Sequence, residues 1–337
     1  MKPVSIARRS PGARATPAGS QAQIGPQFIG GREMDLPKIV RITEVGPRDG
    51  LQNEAGNLAT ADKIALIGQL AAAGCREIEI TSFVHPKAIP NLADAAEVSA
   101  ATKDLAITRF ALIPNARGYQ RALEAGVDGI TLVLSATDAH NLKNLNCNTA
   151  ESIDALAPLA ARAAQDGLLA RVSISMVFGC PFEGNPGLER IIRLIDTMTR
   201  KGFGRIGLCD TIGIANPQQV FDWSSRILRE FGGIDFELHF HNTYGRGLAN
   251  VLAGLEAGID RFDSCVGGLG GCPFAPGATG NVATEDLVSM LEAAGVSTGV
   301  NRDGVLAASD FLAEKLDKRL NSNIWQVHRA QRATAAA

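Results

Sequence analysis

Two histidines one residue apart, His239 and His241, close a short apolar run that begins at Phe236. Residues two apart on a strand project to the same face, so both imidazoles can point at one spot. Joined by a carboxylate such as Asp49, two neutral imidazoles make a divalent-metal site with positions left open for substrate. A His-x-His pair can also be a packing feature in which one ring merely satisfies a backbone carbonyl. The chain has 5 histidines, and two of them at one strand end favour the metal. A mixed nitrogen and oxygen donor set without a thiolate suits Mg or Mn better than Zn.

Arg48 stands beside Asp49. On an ordinary surface this would be an ion pair of little consequence. In a loop at an active-site mouth, the fixed fork of guanidinium donors could hold a carbonyl or carboxylate oxygen and stabilise an enolate. Glu79 and Asp210 could act directly as acid or base, or could hold Arg48 and the histidines in place. The stretch Asp210-Thr-Ile-Gly could equally be a helix-capping loop. The loop Val266-Gly-Gly-Leu-Gly-Gly-Cys-Pro-Phe is dense in glycine around one thiol, Cys272. Its GxGxxG spacing is not followed by a suitable helix, so a mobile lid that carries Cys272 to the reacting centre fits better than a phosphate cradle. The other cysteines (Cys75, Cys147, Cys180, Cys209 and Cys265) read as small buried hydrophobes. With no CxxC pair, neither a zinc ribbon nor a disulfide framework is expected.

These residues act together only if the fold gathers them. Short β-branched runs at Lys38–Glu44, Glu77–Ser82, Ile107–Ile113, Gly129–Ser135, Ala170–Val177, Arg205–Cys209, Phe236–Phe240 and Arg261–Cys265 predict strands. Between and after them, Ala61–Ala73, Leu92–Ala101, Tyr119–Ala125, Ala150–Gln165, Leu188–Lys201, Pro217–Phe231, Leu248–Ala257 and Glu285–Ala294 have helical period. Glycines such as Gly74 and Gly258 follow several of these helices, where a left-handed residue ends a helix without strain. Eight strand-then-helix units in about 260 residues predict a single (β/α)8 TIM barrel with its active site at the C-terminal ends of the strands. A doubly wound sheet is the alternative, but Glu44-Val-Gly-Pro-Arg-Asp-Gly is not the glycine-rich turn it would need. Arg48, Asp49, Glu79, Asp210, His239, His241, Cys272 and Asn281 all fall near predicted strand ends or in the loops after them, and so on one rim.

The 337 residues carry 33 Lys and Arg against 35 Asp and Glu, a net charge of −2, which excludes a strongly basic nucleic-acid coat. No apolar run is long enough to span a bilayer, so no membrane partner is expected. Residues 1–37 read as a flexible N-terminal extension, 38–310 as the barrel, and 311–337 as a C-terminal helix and tail. The first thirty-two residues are basic and acid-free, as a mitochondrial transit peptide is, but Pro11 and Pro17 break any long amphipathic helix. A bacterial cytoplasmic location is expected, with the mitochondrial matrix as the alternative, and the protein is expected to be a homodimer.

Six segments carry a resemblance to a known family: Glu44-Val-Gly-Pro-Arg-Asp-Gly-Leu-Gln-Asn-Glu, Thr81-Ser-Phe-Val, Gly179-Cys-Pro-Phe-Glu-Gly, Asp210-Thr-Ile-Gly, His239-Phe-His-Asn-Thr-Tyr-Gly and Gly270-Gly-Cys-Pro-Phe with Gly280-Asn-Val-Ala-Thr-Glu-Asp. In this order, over most of the chain, they resemble the 3-hydroxy-3-methylglutaryl-CoA lyases. The resemblance implies a metal-dependent TIM barrel that cleaves a 3-hydroxyacyl-CoA thioester to acetyl-CoA and a keto acid, acetoacetate in the best-known case. It implies Asp49, His239, His241 and Asn281 as metal ligands, Arg48 on the thioester oxygen and Cys272 as the proton-transferring thiol. Glu79 and Asp210 would complete the polar shell, and Gln52 and Asn144 would contact substrate. Ala55 stands where the family often has lysine, Asn242 replaces an aspartate, and Cys265 with Gly267 replace serine and alanine. The missing cation at Ala55 leaves room for a lyase of a longer or differently charged acyl tail. Isopropylmalate and homocitrate synthases, which run a Claisen condensation, share Arg-Asp-Gly and His-x-His but differ in the glycine loop.

Overall fold

Every β-branched run of the sequence forms a strand, and all eight strands lie parallel and pair in chain order around a closed ring. The computed structural model describes residues 34–56, 58–271 and 280–335. The strands are β1 Arg41–Glu44, β2 Glu77–Ser82, β3 Thr108–Leu112, β4 Gly129–Ser135, β5 Leu169–Ser175, β6 Arg205–Asp210, β7 Asp235–Phe240 and β8 Arg261–Ser264. The ring closes where Arg41 to Glu44 of β1 pair with Arg261 to Ser264 of β8. The helices that carry the chain back are α1 Thr60–Ala72, α2 Ala95–Ala101, α3 Ala116–Glu124, α4 Asp138–Leu145, α5 Thr149–Gln165, α6 Leu188–Arg200, α7 Pro217–Glu230, α8 Gly247–Ala257 and α9 Thr284–Ala293. Two more, α10 Arg302–Leu316 and α11 Asn323–Ala335, pack beside α9. The expected (β/α)8 barrel is therefore the observed one.

The differences in detail have local causes. β1 begins at Arg41 rather than Lys38 because the preceding backbone bonds to the segment after α9, with Val40 N–H donating to Ser297 O at 2.9 Å. The expected helix over 92–101 divides at Pro90–Leu92, a short 3-10 turn, and α2. Helix α4 was not foreseen: it is eight residues, DAHNLKNL, with no apolar stripe. It is stopped by Asn146 in the left-handed conformation (φ 58°). Gly74 (φ 96°) and Gly258 (φ 104°) end their helices as expected. Helix α10 runs through position 310 without a break, and Asp286 ties down α11 by accepting from Ser322, Asn323 and Ile324.

The apolar core is the ring between strands and helices. Ile78, Ile80, Leu132, Ile174, Leu208 and Leu238 face outward from the sheet and meet Leu66, Leu156, Ile195 and Ile227. The side chains pointing into the barrel alternate with these and are largely polar: Glu77 and Glu79 on β2, Thr131 on β4, Arg171 and Ser173 on β5, Glu237 and His239 on β7, Asp263 on β8. Many TIM barrels fill this space with branched apolar residues; here it is a charged column whose upper end is the site.

Candidate active site

The rim is set by the corner after β1. Val45 O accepts from the N–H groups of both Asp49 (2.7 Å) and Gly50 (3.2 Å), and the latter bond makes Gly46–Gly50 a π-helical turn. This wide turn lets the adjacent residues Arg48 and Asp49 both face the barrel mouth, where Arg48 Nη1 donates to Asp49 Oδ1 at 2.6 Å. Across the mouth His239 ends β7 on its inward face, and His241 follows it, bridged through the backbone to Asn281. One candidate ligand atom from each of Asp49, His239 and His241 lies within 4.8 Å of the others. Asn281 joins them through Nδ2, which donates to Asp49 Oδ2 at 2.7 Å.

Whether these groups suit a cation can be read from what they leave unsatisfied. His241 Nδ1 and Asn281 Oδ1 are buried and accept no hydrogen bond, a costly state for polar atoms unless something electropositive is to meet them. Burial and the neighbouring His239 push the His241 imidazole down to about 4, so it is neutral and can offer a lone pair. Burial would raise the Asp49 carboxyl, but Arg48 and the two histidines outweigh it and hold it at about 2. His239 is moved the other way, because Asp263 and Asp49 overcome the effect of burial and raise it. Its Nδ1 lies 3.1 Å from Asp263 Oδ2. A carboxylate only accepts, so Nδ1 carries the proton and Nε2 is left for a cation. An ionised carboxylate, two imidazoles with free nitrogens and an amide oxygen fit a divalent ion.

Arg48 is fixed from behind. Its Nε donates to Glu79 Oε1, whose other oxygen accepts from Arg171 and, at 2.8 Å, from Thr131 Oγ1. Glu79 is thus not near the end of its strand, as expected from the sequence, but third of six residues and fully buried inside the barrel. Burial works against the Arg48 charge, and Glu79 and Asp49 more than restore it. In front of this group opens a cavity of about 390 Å³ lined by Arg48, Asp49, Gln52, Asn144, His239 and His241. Its far wall is apolar, with Val84, Ile89, Leu112, Val133 and Leu145.

Asp210 does close β6, but it does not line the cavity. Its oxygens accept from the N–H groups of Ile214 and Ala215, both at 3.0 Å, so it fixes the following loop. Burial pushes its carboxyl up to about 6. Cys272 lies outside the described residues, as do residues 1–33 of the expected extension. Gly271, the last described residue before it, lines the cavity. Cys75, Cys180, Cys209 and Cys265 are buried, as their reading as core residues required, and Cys147 is half-buried.

Sequence reasoning missed Arg171, Asp263 and His140. The first two are polar residues on alternate positions of apolar strands, Arg171-Val-Ser173-Ile-Ser175 and Arg261-Phe-Asp263, a pattern that marks an inward face without naming its partners. His140 reaches the cavity wall on the unforeseen helix α4, 2.5 Å through Nδ1 from Ser135 Oγ.

A family model described as HMGL-like matches residues 39–312. The chain is 45% identical over 298 residues to the hydroxymethylglutaryl-CoA lyase YngG of Bacillus subtilis, covering 88% of this chain and 100% of the relative. A crystal structure of the Bacillus subtilis HMG-CoA lyase superposes with a TM-score of 0.85 at 45% identity, over 87% of this chain and 99% of that one. The structure of an HMG-CoA lyase from Acinetobacter baumannii in complex with coenzyme A and 3-methylmalate gives 0.82 at 42% identity, over 86% and 95%.

Proposed function

The chain belongs to the HMGL-like family, and from this we infer that it is a metal-dependent carbon–carbon lyase that cleaves 3-hydroxy-3-methylglutaryl-CoA to acetyl-CoA and acetoacetate by a retro-Claisen reaction. The observation that carries the reading to this site is the gathering of Asp49, His239, His241 and Asn281, two of them with unsatisfied buried acceptor atoms, beside the Arg48 guanidinium and the cavity.

Asp49, His239, His241 and Asn281 would hold the cation. When bound, a divalent ion polarises substrate oxygens and eases loss of the hydroxyl proton. Mg or Mn is the ion proposed, supported by a donor set of imidazole and oxygen without thiolate. Arg48 keeps Nη2 for the thioester oxygen, since Nε is engaged by Glu79 and Nη1 by Asp49. As the bond between C2 and C3 breaks, its electron pair moves into the acetyl-CoA enolate, and C3 becomes the ketone of acetoacetate. The guanidinium, oriented beforehand, lowers the cost of the charge that grows on the thioester oxygen. Gln52 and Asn144 offer amides to the acyl group from the cavity wall. Two protons must move, one off the 3-hydroxyl and one onto the enolate carbon. For these the chain offers the Cys272 thiol and Asp210, which stands between the cavity-lining residues Cys209 and Thr211 rather than in the wall itself and whose raised carboxyl suits a general base near neutral pH. Among the described residues no helix is long and apolar enough to cross a membrane. A bacterial cytoplasmic location, in keeping with the likeness to a Bacillus subtilis enzyme, and a homodimer complete the proposal; light scattering tests the dimer.

The decisive assay supplies a panel of 3-hydroxyacyl-CoA thioesters and identifies the products by mass. Chelation should abolish turnover of the 3-hydroxy-3-methylglutaryl thioester, and Mg or Mn should restore it. Full turnover with no residual metal by elemental analysis would sink the metal reading, and a different preferred thioester would correct the acyl group.

A further inference from the structure

We propose that Arg171, in the middle of the barrel and outside the cavity lining, is the positioning residue that sets both halves of the site at once, holding His239 through Asp263 and Arg48 through Glu79. The inference rests on the lyase reading above. The Arg171 side chain is fully buried. Nη1 donates to Asp263 Oδ1 at 2.8 Å and to Glu237 Oε1 at 3.1 Å, Nε donates to Thr131 Oγ1 at 2.9 Å, and Nη2 donates to Glu79 Oε2. The guanidinium also lies over the Phe110 ring, 5.4 Å from its centroid. Two of these carboxylates pass the contact on: the second oxygen of Asp263 meets His239 Nδ1 at 3.1 Å, and that of Glu79 takes Arg48 Nε.

A purely structural account explains this arrangement poorly. Burying a guanidinium among three carboxylates costs desolvation that an apolar filling of the barrel would avoid, so the cluster is weak evidence of added stability. Its geometry, however, has consequences a hydrocarbon could not supply. The planar fork reaches Asp263 and Glu79 in different directions from one rigid group. It thereby fixes the separation between the imidazole that would hold the cation and the guanidinium that would meet the thioester. Lysine would keep the charge but not this function, because a single ammonium on a flexible stem cannot hold both carboxylates in the fork's geometry.

The test compares wild type with Arg171→Lys, Asp263→Asn and Glu79→Gln, each measured for Mn²⁺ affinity by calorimetry in the absence of substrate and for kcat and KM. Arg171→Lys should weaken Mn²⁺ binding by about 10- to 100-fold, the scale seen when support behind a metal-binding histidine is lost. It should also lower kcat more than it raises KM. Asp263→Asn should reproduce the loss of Mn²⁺ affinity, whereas Glu79→Gln should lower kcat and leave Mn²⁺ affinity within about twofold. Folded Arg171→Lys with wild-type Mn²⁺ affinity and kcat would overturn the proposal. Should that variant not fold, wild-type Mn²⁺ affinity in Asp263→Asn overturns it instead. A wild-type protein that binds no Mn²⁺ would remove the metal reading and this inference together, an outcome distinct from the others.

Discussion

Both ends of the barrel interior gather charged and polar side chains, and they differ in what they leave unpaired. At the floor, Arg205 and Arg261 converge on Glu77, and each has a second carboxylate, Glu237 for Arg205 and Asp235 for Arg261. Thr43 is bonded into the same group. At the mouth, Arg48, Asp49, His239, His241 and Asn281 converge too, yet His241 Nδ1 and Asn281 Oδ1 have no partner. Charge in a barrel therefore does not mark a site by itself. What separates a plug from a site is that the plug satisfies itself and the site does not.

That contrast is most exposed to challenge at His239. His239→Ala should cut kcat by about 10³-fold or more, since it removes a ligand that the proposed Lewis-acid chemistry depends on, while thermal melting of the metal-free protein stays near wild type. A fall in melting temperature that accounted for the lost activity would make the mouth another plug. Arg48→Gln should cost about 10²-fold in kcat, the scale for one preorganised donor to a developing oxyanion; a change confined to KM would show that Arg48 only binds substrate. The floor should behave in reverse. Arg261→Gln should destabilise the fold by about 2 kcal/mol in chemical denaturation and leave kcat within about twofold.

The last effect leaves kcat alone and concerns a pair of buried carboxyls. Burial pushes Glu44 up to about 7 although it accepts from the N–H groups of Gly46 and Val266 and from Thr284. Between pH 4.5, the ordinary value, and 7 the folded chain holds a proton at Glu44 that the unfolded chain has released. Stability should therefore fall as pH rises across this window, by roughly 3 kcal/mol for the whole shift. Glu285, likewise raised to about 7 by burial, adds to the same slope. Glu44→Gln, which mimics the protonated form, should flatten the decline in melting temperature between pH 5 and 7 by about half. An unchanged slope would show that Glu44 is ionised throughout.

The sequence made the strands legible because the outward faces of the barrel are apolar and β-branched; Glu77–Ser82 and Gly129–Ser135 have the bounds expected of them. It made the rim legible because polar residues at strand ends make poor core material. It did not reveal α4, whose composition follows neither helical nor strand period, and so it missed His140. Arg171 escaped because an internal charge is recognised by its partners, and Glu79, Glu237 and Asp263 lie on three other strands. Glu79 was misplaced for the same reason: only the cross-barrel bonds show that it belongs to the column beneath the mouth. From the sequence Asp210 reads as an acid–base group, a partner of Arg48 or the histidines, or a loop cap; its bonds to Ile214 and Ala215 show the cap, and the acid–base role is the one proposed above.

The turn Gly46–Gly50 has a consequence for how this corner can vary. Because it is one residue wider than an α-helical turn, Arg48 and Asp49 owe their directions to the count of residues between Val45 and Leu51 as much as to their own identities. Removing one residue would turn the rest of the corner by roughly a quarter turn about the local axis, taking Asp49 away from His239 and Asn281. Substitutions here can be graded in their effects, but a change of length cannot. The corner is a spacing device, and insertions and deletions are the class of mutation it is least able to absorb.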